Sequence, residues 1–348
     1  MAAGGHNKAR AEKRIVYTGE EHELAAEAIP RRGDYRLPAA YGDQARLETQ
    51  VLLNLGTSGS WWAHPIGISS VSPGKGIIVV RLDKQTLLNG QSYDLADHVL
   101  ASLLPSGEAG ALQVNGVLGL RVSSIKRHVL RVALAGAGAT VALRSADETD
   151  WAALIEERRR RFEGTEFTPL WQQPGITDYE RETRACYQSV YTAEDQIAWL
   201  GSALLRRINL FASASSAYST RWWMTGDELI FELDRVPEIP ADHDVFLREL
   251  THHIWGIALR VADRHCDCVS AAAQHRDSYQ CTYRLAHRGG LRGRMQIRFR
   301  AVEPYDRTEL REQLEGTGAE SGWLARVLPY VRWPGSRAAG VNGEQGRA

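Results

Sequence analysis

GATVALRSADETDWAALIEE, residues 138–157, and GRMQIRFRAVEPYDRTELREQL, residues 293–314, follow one plan: a glycine turn, an alternating strand, an acidic connection and a helix. The likeness is one of pattern more than of identity. In both strands apolar residues recur at every second position, as a strand with one buried face requires. The plan also extends outward from both stretches.

Upstream of the first, the apolar stripe Leu47, Val51, Leu52, Leu55 predicts a helix over 44–55, with Asp43 at its N-cap and Gly56 at its end. A hairpin follows, from Trp61 to Val71 and from Ile77 to Leu82, turning at Pro73, Gly74 and Gly76. Next come a helix over 93–104 and a meander of strands over 117–123, 128–134 and 139–144, and a helix over 151–162 closes the unit. Around the second stretch the order returns: a helix over 193–211, a hairpin of 218–224 and 228–233 around Gly226 and Asp227, a helix over 244–261, a meander from Cys266 to Val302, and a helix over 307–314. Trp61 and Trp62 in one hairpin correspond to Trp222 and Trp223 in the other. The expected fold is therefore α+β: two tandem pseudo-repeats of helix–hairpin–helix–three-strand meander–helix, with antiparallel sheets backed by helices. Units arranged in this way pack as a pseudo-dimer.

The expected organisation is a basic N-terminal arm (1–43), a first repeat (44–163), a linker (164–192), a second repeat (193–333) and a disordered tail (334–348). The 348 residues suffice for two cores, and 43% hydrophobic with 24% charged residues is ordinary for a globular chain. Acids and bases balance at 42 each, so no global field draws the whole protein to nucleic acid or membrane. The four cysteines make no disulfide framework. The polar, basic start is not a signal peptide, and no long apolar run is free of Gly and Pro. A cytoplasmic location without membrane contact is the expectation.

The candidate chemistry narrows quickly. Ser72–Gly76 lacks the Ser or Thr that a phosphate loop needs after Lys75, and Gly136 and Gly138 precede a strand where a dinucleotide site needs a helix. His252 and His253 are adjacent on the predicted helix, about 100° apart, and cannot share one ion. Cys266, Cys268 and Cys281, with His265 and His275 nearby, are the zinc-like set. Their spacing lacks a Cys-x₂-Cys knuckle, and three small hydrophobes on one strand face need no metal. The expectation is a packed cysteine face, no metal and no cofactor. Aliphatic residues at the approximately equivalent positions of the first meander (Leu120, Val122, Leu130) agree with that.

One charged surface stands out. Arg284, Arg288, Arg292, Arg294, Arg298 and Arg300 occupy the hairpin formed by the last two strands of the second meander with no acid among them, and the matching hairpin of the first meander has only Arg131 and Arg144. An arginine-studded ribbon suits nucleic-acid phosphate, with Lys8, Lys13 and Arg14 as auxiliary contacts. The expectation is thus a non-enzymatic DNA- or RNA-associated protein. The alternatives are an interaction scaffold using its tryptophans or an acidic protein partner, and an enzyme with a site between the two repeats.

Overall fold

The computed structural model describes residues 3–30, 34–56, 64, 67–74, 76–88, 91–108, 113–145, 149–239, 242–268 and 280–329. The N-terminal segment forms helices α1 (Ala3–Thr18) and α2 (His22–Glu27). The first unit comprises α3 (Gly42–Gly56), β1 (Ile68–Pro73), β2 (Ile78–Leu82), a small β3 (Gln85–Leu88) and β4 (Gln91–Asp94) hairpin, α4 (Leu95–Leu103), β5 (Ser106–Glu108), β6 (Val114–Asn115), β7 (Leu120–Lys126), β8 (Val129–Leu134), β9 (Thr140–Ser145) and α5 (Trp151–Arg161). Next come β10 (Phe167–Pro169), a short turn of 3-10 helix and α6 (Asp178–Cys186). The second unit comprises α7 (Gln188–Leu205), α8 (Leu210–Ser213), β11 (Ser219–Thr225), β12 (Glu228–Arg235), α9 (His243–Leu250), β13 (Leu259–Cys266), β14 (Gln280–His287) and β15 (Arg294–Ala301). Two further helices follow, Arg307–Gly316 and Ser321–Val327.

The α+β class is observed, in two five-stranded sheets. The first runs β1-β2-β9-β8-β7 and the second β11-β12-β15-β14-β13. In each, the last strand of the meander lies parallel to the second strand of the hairpin, β9 beside β2 and β15 beside β12, and the other neighbours are antiparallel. The edge strands β7 and β13 each carry a bulge, at Val122/Ser124 and Val261/Asp263. A bulge twists an edge away from further pairing.

Helix α3 packs across α7 and joins the sheets into one core, which runs from Leu47 and Val80 to Phe231 and Phe299. Gly201 allows the close approach, because a Cβ there would lie 2.5 Å from the Thr49 side chain. Thr49 Oγ1 donates to the Ala198 carbonyl at 2.7 Å. Beside this crossing, the fully buried Glu48 accepts from Arg206 Nε at 2.7 Å, from Arg206 Nη2 at 2.6 Å and from Ser202 Oγ at 2.6 Å. Arg206 Nη1 donates to the carbonyls of Pro38 and Gly74. Trp222 Nε1 donates to the Leu52 carbonyl, with its ring lying where a side chain on Gly56 would be.

Three boundaries differ from the sequence expectation. The 1–43 stretch includes docked helices: α1 packs on α8 and β1. The 164–192 segment is structured as well. Its Glu180 closes a capping box with Thr177 and accepts from the Gly119 backbone and from Arg121, which holds α6 on the start of β7. The helix expected to run to Val261 ends at Leu250. There the His252 ring accepts from the backbone of Ile254 and Trp255, and Gly256 lies against the Glu249 and Leu250 carbonyls, too close for a Cβ. The first strand of the second meander, expected from Cys266, is therefore β13, which begins earlier, at Leu259. Trp61, Trp62, Lys75, His275 and the 334–348 tail lie outside the described residues.

Glu48→Leu should strand a buried guanidinium and lower the unfolding free energy by about 3–5 kcal/mol, whereas Glu48→Leu/Arg206→Leu should recover much of that loss. Urea unfolding of the three proteins checks the non-additivity.

Candidate metal centre

Four side chains from three parts of the second unit converge. Cys266 ends β13 and lies opposite Cys281, which lies near the start of β14, and Cys268 follows two residues on. His243 is the first residue of α9, with its ring 4.3 Å from that of Phe299. The ligand atoms of His243, Cys266, Cys268 and Cys281 all lie within 4.8 Å of one another. Cys266 Sγ is 2.9 Å from Cys268 Sγ, 3.2 Å from Cys281 Sγ and 3.9 Å from His243 Nδ1. In tetrahedral zinc, bonds of about 2.3 Å to sulfur and about 2.0 Å to nitrogen place the ligand atoms roughly 3.4–3.8 Å apart. The observed cluster spans that range.

The electrostatics fit a cation. Burial, reinforced by the Arg235 charge, pushes the His243 pKa down to about 4, so its imidazole is neutral and a competent ligand at neutral pH. Its Nε2 is buried without a hydrogen-bond partner among the described residues. Burial opposes ionisation of Cys266, but hydrogen bonds from Cys268, Cys281 and Tyr283 outweigh it and hold that thiol below its ordinary value. Burial, with Cys266 adjacent, pushes Cys281 up to about 12. Arg235 is itself buried and lies in the field of Asp242 and of all three sulfurs. Three thiolates and one divalent ion leave a formal charge of minus one, which this guanidinium cancels.

The sequence shows the three cysteines but not the fourth member of the cluster. His243 lies 23 residues before Cys266, in another element, and no spacing rule reaches it. The histidine that adjoins the cysteines in sequence, His265, is exposed, at 3.2 Å from Asp267. His252 and His253 stack on each other in the turn after α9.

The arginine hairpin forms, but as a row of ion pairs. Strand β12 lies in parallel register beside β15, which places Glu228 opposite Arg294, Glu232 opposite Arg298 and Asp234 opposite Arg300. Glu232 accepts from Arg298 at 3.2 Å, Arg300 at 2.7 Å and Arg221 at 2.8 Å. Burial would raise the Glu232 pKa, but these arginines hold it below the ordinary carboxylate value. Arg300 also meets Asp234, Arg294 meets Asp227 at 3.0 Å, and Arg284 lies 3.6 Å from Glu228 and 4.0 Å from Asp263. Arg298 stacks over Trp223. Arg288 donates to the carbonyls of Leu259 and Thr251, and Arg292 is exposed.

The auxiliary cations are also engaged. Lys13 pairs with Glu249 at 2.6 Å, Arg14 is buried against Glu20, and the exposed Lys8 lies 4.0 Å from Glu12. Trp222 is buried, which removes it from any exposed aromatic surface. Among the described residues, no helix is long and apolar enough to cross a membrane. No protein-family model, curated protein or solved structure matches the chain.

Neutralising the β12 carboxylates should release the arginines. A Glu232→Gln/Asp234→Asn variant should elute from a heparin column at higher salt than wild type. Equal elution would show that the carboxylates do not mask the ribbon.

Proposed function

We propose that the second unit is a zinc-thiolate module, with Cys266, Cys268, Cys281 and His243 as a four-ligand set for one zinc ion. The convergence of four ligand atoms within 4.8 Å carries this reading. Four protein ligands leave no open position for water or substrate, so the metal's work is structural. It ties both ends of the connection between β13 and β14 to the start of α9. The matching strand orders of the two sheets support reading the chain as an internal duplication in which one copy gained a metal.

Elemental analysis of protein purified without chelator should find about one zinc per chain. Cys281→Ser should abolish it and lower the Tm by about 5–10 °C. Protein that takes up no zinc from a stoichiometric supply, and melts unchanged with chelator, would refute the module.

We keep the Arg284–Arg300 hairpin as a second candidate, for nucleic-acid phosphate. It is favoured by the exposure that Arg284 and Arg294 retain, 52% and 58%, beside the exposed Arg288 and Arg292. The carboxylate row of β12 weighs against it. An Arg284→Ala/Arg294→Ala/Arg298→Ala variant should bind mixed-sequence DNA or RNA more weakly in a shift assay over a salt series, with a shallower salt dependence. Binding equal to wild type removes the hairpin from consideration.

A further inference from the structure

A cleft of about 910 Å³ opens between the 34–41 stretch, α7 and the tip of the β14–β15 hairpin. Its lining is mainly apolar and aromatic, with Leu37, Tyr41, Trp199, Ile257 and Leu291 among the walls. One charged group in that lining is out of keeping with it. Arg207 is buried, and its Nε and Nη1 donate to the backbone carbonyls of Trp255 at 2.6 Å and Ala203 at 3.1 Å. No carboxylate lies within ion-pair distance of it among the described residues.

The contrast with its neighbours is direct. Arg206, next in sequence and as deeply buried, has Glu48, and Arg14, in the same cleft wall, has Glu20. Burial pushes the Arg207 pKa down to about 10, which leaves it charged at neutral pH. The acidic group that bears on its charge, Tyr17, is held neutral by burial and by Glu249. A buried cation held by carbonyl dipoles alone is costly, and an anion entering from the cleft would relieve it. A second donor lines the same cleft. His287 Nδ1 accepts from the backbone of Gly289 and Leu291, which leaves Nε2 to carry the ring proton, and the ring lies edge-on to Trp199 at 4.8 Å. The rim acid, Asp34, is exposed and lies 3.8 Å from Arg36.

We propose that this cleft binds a small organic carboxylate, with Arg207 as counter-charge, His287 Nε2 as a hydrogen-bond donor, and Trp199 and Tyr41 against the apolar body of the ligand. The site shares β14 with Cys281, through His287 at the other end of that strand, but it uses none of the cysteines and does not rest on the zinc reading. It lies between segments of both halves of the chain, at the tip of the arginine-bearing hairpin, and uses none of that hairpin's arginines.

Isothermal titration of the full chain with benzoate, 4-phenylbutyrate and octanoate, each beside its primary amide, tests it. At least one carboxylate should bind with a Kd of about 0.1–1 mM, with its amide at least about tenfold weaker. Arg207→Gln should bring carboxylate and amide to the same affinity. Should that variant fail to fold by circular dichroism, Trp199→Ala and His287→Ala, both on the cleft wall, should each weaken the carboxylate. Equal affinity of carboxylate and amide in the wild type, or no carboxylate binding by about 10 mM, would overturn the proposal.

Discussion

The crossing of α3 over α7 holds the two halves of this protein together, and the buried Glu48–Arg206 pair is its polar centre. Taking both charges out of water is costly, and the cost is offset because nearly every donor and acceptor in the pair is used. Glu48 also accepts from Ser202, and Arg206 reaches the carbonyls of Pro38 and Gly74. One ion pair therefore fixes the segment before α3, the turn after β1 and the register of the two helices. Close packing at Gly201 and Thr49 then lets the sheets share a single apolar core.

The same geometry determines what the second sheet presents. Because β15 inserts beside β12 in parallel register, an arginine row meets a carboxylate row position by position. In the hairpin alone the arginines looked uncompensated. The acids that balance them come from a strand 66 residues earlier, and only the sheet order brings them alongside. The surface is a cross-strand ion-pair network, a different object from a uniformly positive ribbon.

The cysteine cluster and the cleft follow a related logic. In each, a buried group lacks an ordinary partner within the protein. His243 has a buried Nε2 with no partner among the described residues, while its Nδ1 lies near Cys266, and Arg207 has carbonyls where its neighbours have carboxylates. Buried polar groups are normally satisfied, so such exceptions point toward ligands. A cation suits the first site and an anion the second.

Much of the architecture was legible in the chain. Alternation marked the strands around Val132 and Ile297, and glycine turns and the Leu47–Leu55 stripe marked the units, because these patterns express local stereochemistry and one-sided burial. The three cysteines were legible as residues sharing one strand face, a pattern that by itself reads as packing. What tertiary structure alone decided is pairing across distance: which strand neighbours β15, that His243 meets Cys266, and that Arg207 is denied the carboxylate that Arg206 receives. Those facts depend on how separately formed elements pack. Local periodicity records which face of an element is buried, but not what that face will meet.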